Sequence, residues 1–251
     1  LAHEWWHGLD DYLGTKMGAK GMLSEQPRLY APFQKLIETI KYKPETPEQA
    51  AARTEAQTER TRKNAASWLD SAVLGSLKRH GNEEQMETYA VLREAFLSGE
   101  DGSVEQISAF KKSVTGRVIP KSERERLELF EHMLSGMQAQ EAPQIGRVET
   151  DFYRNSVHMG KECEKDGGYW DSNVEMTARA FACYIKDKLP YQSDYLAGHA
   201  DCAVTFVSDK DGKMEVLKAY PEGEERRAIN AVLDYLAGHA DCAVTFVSDK
   251  D

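Results

Sequence analysis

Thr46-Pro47-Glu48-Gln49 fixes the start of a helix. The threonine hydroxyl can cap the open amides of the first turn, proline suits the first helical position, and Gln49 stands where a capping box needs its return partner. The pattern carries this helix to about Arg79, with Gly81 as its stop. Its first half, Ala50 to Asn64, is almost free of large apolar residues and is expected to face solvent or a partner. From Trp68 onward it has a face to bury. Further helices are expected over about 31–40 and over 83–97, the latter with Met86, Tyr89, Leu92 and Phe96 on one stripe. A short helix is expected from Ser103, with Gln106 three residues on. Another starts at Ser122, with Glu125 as its box partner and Leu127, Phe130, Met133 and Leu134 on its apolar face.

Residues 148–160 and 173–189 are again helical in pattern, and a last helix follows Pro221 through Ile229 and Val232. The opening run to Gly14 reads as a short helix, and 15–30 as a loop. Strands are expected late, Ala203 to Val207 and Met214 to Lys218 flanking Ser-Asp-Lys-Asp-Gly as a hairpin. The fold class is mostly α (α+β), with a small late β-hairpin.

At 251 residues the chain can build one sizeable core or two small ones. Its 42 acidic against 32 basic residues leave a net charge of −10, which argues against a broad electrostatic grip on nucleic acid or an anionic bilayer. No apolar stretch approaches the ~20 residues of a membrane span. Cys163, Cys183, Cys202 and Cys242 form no CxxC pair, a usage expected of the reducing cytoplasm. Residues 194–211 and 234–251 are identical. The second copy stops before its return strand, so His239 and Cys242 are given no functional weight, and 234–251 is not expected to be an independent domain.

His3-Glu4-Trp5-Trp6-His7 is an HExxH motif. On a helix, positions i and i+4 share a face, so both imidazoles can reach one Zn2+ while Glu4 stands beside it as a proton acceptor for bound water. Trp5 and Trp6 would keep the site dry on one side. A catalytic zinc needs a third protein ligand. The metzincin continuation fails, since position 10 is Asp and position 13 is Leu. Asp10 shares the histidine face but lies awkwardly for joint ligation. It reads as a carboxylate that orients His7 or enters a core salt link. Glu175, on a second helix with the small residues Thr177, Ala178 and Ala180, fits the third place. The same Glu175 also completes a capping box with Ser172, and both readings stand. Arg179, one turn on, can pair with Glu175 or with Asp10. His199 before Cys202 matches no hydrolase spacing and reads as a turn residue, and Asp209-Lys-Asp-Gly212 as a turn.

Leu-Ala-His-Glu-Trp-Trp-His-Gly-Leu-Asp-Asp-Tyr-Leu at the start, Gly168-Tyr-Trp170, Glu175-Met-Thr-Ala-Arg-Ala-Phe181, Ser193-Asp-Tyr-Leu196 and Tyr220-Pro-Glu-Gly-Glu-Glu-Arg-Arg227 together resemble the large polyvalent protein-associated domain type 1, over about residues 1–235. That resemblance implies a zincin-like domain inside a very large protein of phages or integrative and conjugative elements, beside DNA-handling modules. It implies His3, His7 and Glu175 as metal residues for Zn2+ and Glu4 as base. It also implies a protein or peptide substrate for a metallopeptidase, or else a non-catalytic interaction module, with the other domains of a longer parent chain as partners. The present chain reads as a piece of such a parent, with Ala182 where the family often carries another Glu. Tyr169 and Arg179 are the nearby groups that could face a developing oxyanion.

Overall fold

The computed structural model describes residues 1–139, 142–163, 168–200, 203–207 and 214–238. In chain order the helices and strands are α1 (Ala2–Met17), α2 (Ala31–Lys41), β1 (Tyr42–Pro44), α3 (Pro47–His80), α4 (Glu83–Leu97), α5 (Ser103–Thr115) and α6 (Lys121–Gln138). They continue with β2 (Arg147–Glu149), α7 (Asp151–Cys163), α8 (Asn173–Lys188), α9 (Asp194–Ala197), β3 (Ala203–Val207), β4 (Met214–Lys218) and α10 (Gly223–Gly238). The fold is mostly α with a small late hairpin, in which β3 and β4 pair antiparallel from Ala203↔Lys218 to Val207↔Met214. The chain divides into two compact units, Leu1–Pro44 with Arg147–Asp251, and Glu45–Gly146. Among the described residues no helix is long and apolar enough to cross a membrane.

Glu45–Gly146 is a helical unit around Leu69, Val73, Leu77, Phe96, Ile107, Leu127 and Leu134. The α3 start is the capping box expected from sequence: the Gln49 amide donates to Thr46 Oγ1 (3.2 Å) and the Thr46 amide to Gln49 Oε1 (3.0 Å). Asn82 and Gln85 form a second box at α4 that the sequence reading missed. Of residues 50–64, Ala50 and Thr61 alone are buried, so this half of α3 is exposed as expected. The two serine starts need correction. Gly102 precedes α5, and the Ser103 hydroxyl donates to Glu131 (2.7 Å) instead of capping its own helix. Pro120 precedes α6, which has no side-chain cap, so Ser122 is an exposed residue of the first turn.

In the other unit α1 runs past Gly14. That glycine answers a packing demand, because a Cβ there would sit 2.2 Å from the Gly21 carbonyl oxygen. The stop is Gly18, left-handed at φ 77°. Two 3-10 turns, Leu23–Glu25 and Pro27–Leu29, punctuate the segment read as a loop. A three-residue ribbon, β1 with β2, pairs Tyr42↔Glu149 and Pro44↔Arg147, an early sheet that the sequence reading did not contain. Three residues are too few for strand alternation to show.

The unit is built around α8, in which every residue from Glu175 to Cys183 is buried. Ala178 and Ala180 are fully buried, small enough to let α1 lie close. Trp6 seals that contact. Its ring stacks on Phe33 (centroids 5.8 Å) and tilts on Phe181 (4.7 Å), and its Nε1–H donates to Thr177 Oγ1 at 2.8 Å. Cys202, residues 208–213 with Asp209-Lys-Asp-Gly212, and the repeat from His239 onward with Cys242 lie outside the described residues.

Candidate metal centre

α1 brings His3 and His7 one turn apart on one face, with ring centroids 4.8 Å apart and edge to face. Their Nε2 atoms are 3.2 Å apart. Glu175, in the first turn of α8, directs Oε2 at the pair, 3.3 Å from His3 Nε2 and 3.9 Å from His7 Nε2. Ser172 caps α8 by accepting from the Glu175 amide at 3.2 Å. The cap thus uses the backbone of Glu175 and leaves its carboxylate to the histidines and to Arg179, whose Nε lies 3.6 Å from Oε1. Burial works to raise the Glu175 pKa. The hydrogen bond and charge of His3, the Arg179 charge and the Tyr169 hydroxyl outweigh it and hold the carboxyl below its ordinary value.

Arg179 is 1% exposed. It donates to the carbonyls of Ala219 and Trp170 and to Ser156 Oγ (3.1 Å), and its guanidinium lies over the rings of Phe152 (4.9 Å) and Trp170 (5.2 Å). Burial pushes its pKa down to about 10, against the pull of Glu175. Of the two pairings open to it in the sequence, the one with Glu175 is made. Asp10 is fully buried and accepts from the Ser24 amide at 2.8 Å, with no ion pair among the described residues. Burial raises its pKa, partly countered by Ser24, Leu23 and His7.

Glu4 is exposed on α1 and makes no hydrogen bond or ion pair among the described residues. Trp6 enters the core, whereas Trp5 is 57% exposed and stacks on Phe181 at 5.6 Å. Tyr169 bonds to Glu175 and feels the charge of Glu4. His199 is exposed. A separate apolar groove of about 640 Å3, lined by residues including Trp5, Leu9, Leu13, Leu196 and Leu236, runs along another face of α1, and none of the site residues lines it. Sequence reasoning missed Ser24, Ser156 and Asn173, which hold these groups from elsewhere in the chain and belong to no spacing motif.

The donor set fits a metal ion. His3, His7 and Glu175 each offer one ligand atom, all within 4.8 Å of one another. A tetrahedral zinc with bonds of about 2.0–2.1 Å would separate its ligands by about 3.3 Å. Two of the three separations, 3.2 and 3.3 Å, already have that value. Two imidazoles and a carboxylate also leave one tetrahedral position open, as sites of metal-assisted hydrolysis do.

A helical unit with two histidines one turn apart on one helix and a glutamate from another defines a class of candidate site with two imidazoles and one carboxylate. Residues 161–241 match the family model of large polyvalent protein-associated domain 1, the family that the sequence resembles. The match covers Glu175 and Arg179 and does not extend to His3, Glu4 or His7. No curated protein and no solved structure matches the chain.

Proposed function

We propose that this is a zinc-dependent, metallopeptidase-like domain of a mobile-element polyvalent protein, acting in the cytoplasm on a protein or peptide beside the other domains of its parent chain. The observation that carries the reading is the convergence of His3, His7 and Glu175 with the carboxylate of Glu4 unengaged on the same helix. Zinc, when bound, would polarise a peptide carbonyl and acidify water. The chain's own residues do the rest. Glu4 takes the proton of the attacking water and returns it to the leaving amine. Arg179 and Tyr169 fix the Glu175 carboxylate, and the Trp6–Thr177 bond fixes α1 against α8.

Zinc content of the purified protein, set beside His7→Ala and Glu175→Ala, tests the ligand set. About one zinc per chain, lost in both variants, is expected for a three-ligand site. Retention in Glu175→Ala would overturn it. Cleavage of a peptide library by wild type and not by Glu4→Gln is expected of the enzyme. Zinc binding without cleavage would turn the reading to the second candidate, a non-catalytic interaction module, which the exposed polar half of α3 favours as a docking surface.

A further inference from the structure

The apolar groove along α1 has no part in the chemistry proposed above. Its walls come from four helices of one unit: Leu9 and Leu13 of α1, Tyr184 and Ile185 of α8, Leu196 of α9 and Leu236 of α10. Among the described residues no charged side chain lines it.

Aromatic rings project beside this slot. Trp5 is both wall and projection, since it lines the groove and stacks on Phe181 while 57% of it stays exposed. Tyr12, seven residues on and on the same side of α1, is 43% exposed. Tyr195, next to Leu196 on α9, is 77% exposed. At roughly 200 Å2 per ring the three leave about 350 Å2 of aromatic surface in water, and the half-buried walls bring the patch to about 600 Å2. That is the upper end of what a free monomer carries. A stable pair takes about 800 Å2 from each partner, with an apolar centre inside a polar rim. The patch supplies the centre.

The rim carries both signs of charge. Lys188 pairs with Asp234 at 2.7 Å where the Tyr184 hydroxyl donates to the same aspartate (3.0 Å), and the Lys16 ammonium lies over the Tyr12 ring (5.4 Å). Such a rim can meet its own copy without a like-charge front, although the chain as a whole carries a net charge of −10. A slot and projecting rings on one face also suit a two-fold pair, which presents each patch to itself. We infer that this face is the interface of a symmetric dimer, with Trp5 and Tyr195 of each copy seated on the groove of the other. His3 and His7 lie on another face of α1 and line no part of the groove, so the dimer does not rest on the metal-site reading.

Sedimentation equilibrium of the purified chain, from micromolar concentrations upward, reads the assembly directly. Wild type is expected at twice the mass of one chain. Tyr195→Asp and Trp5→Asp are each expected to weaken the dimer by roughly 30-fold or more, the loss typical of a central aromatic anchor. Val91→Asp, at a residue 71% exposed in the other unit, is expected to leave the mass unchanged. Tyr195 lies mostly in solvent, so its variant separates a lost interface from a lost fold, with circular dichroism as the check. Should Trp5→Asp fail to fold, Tyr195→Asp decides alone. A dimer that both variants leave intact would overturn the inference. A wild type monomeric throughout would also overturn it and leave the groove to a foreign partner or an apolar ligand.

Discussion

Trp6 is 3% exposed between Phe33 and Phe181, and its indole N–H has Thr177 Oγ1 as acceptor. Thr177→Val keeps the shape and removes the acceptor, leaving a buried donor unmet. The expected cost is about 1–3 kcal/mol, read as a drop in urea midpoint. Glu175 gives a pH dependence of defined sign. Its pKa in the fold lies below the unfolded value, so its ionised form contributes stability that is complete above the unfolded pKa and is lost as pH falls through the folded one. Zinc-free protein is expected to weaken across that window, below the usual carboxylate range, and Glu175→Gln to flatten this acid limb in denaturation curves taken at successive pH values. His3 and His7 were legible as neighbours because helical spacing alone brings i and i+4 together. Glu175 was legible only as two competing roles, since a capping box and a ligand demand the same residue. Ser24 and Asn173 were not legible at all, because 149 residues separate the two ends of their bond.

At the scale of elements, local chemistry settles some helix starts and misleads at others. Thr46→Ala removes an observed cap and is expected to destabilise its unit by about 1 kcal/mol, as is Asn82→Ala. Ser122→Ala, which sequence would rank beside them, is expected to change the thermal midpoint little, because Pro120 precedes α6 and the serine caps nothing. The difference is backbone conformation: a serine three residues before a glutamate is a box only if it stands one residue outside the helix. Gly14 is the converse case. Sequence takes it as a stop, yet it is an interior contact, so Gly14→Ala is expected to cost about 1–3 kcal/mol through crowding against the Gly21 carbonyl. Helix periods and the late hairpin were readable because each repeats over many residues, whereas β1 and β2 each span three.

Across the whole molecule, the two units carry separate cores, one around Trp6, Phe33 and Met176 and the other around Leu69, Phe96 and Leu127. Nothing in composition marks residues 45 and 146 as boundaries. The insertion shows only when β1 and β2, distant in sequence, pair with each other. All three candidate ligands lie in the unit formed by Leu1–Pro44 and Arg147–Asp251. A ligand stabilises the fold it binds, by about 2.7 kcal/mol at one hundred times its dissociation constant. Zinc is therefore expected to slow amide hydrogen exchange in α1 and α8 and to leave the amides of α4 and α5 unchanged. Leu69→Ala, which opens a cavity in the other core, is expected to cost about 2–5 kcal/mol there while zinc stoichiometry stays at its wild-type value. Exchange mass spectrometry with and without zinc reads both effects. Equal protection of α4 and α8 would show the two units responding to the metal as one.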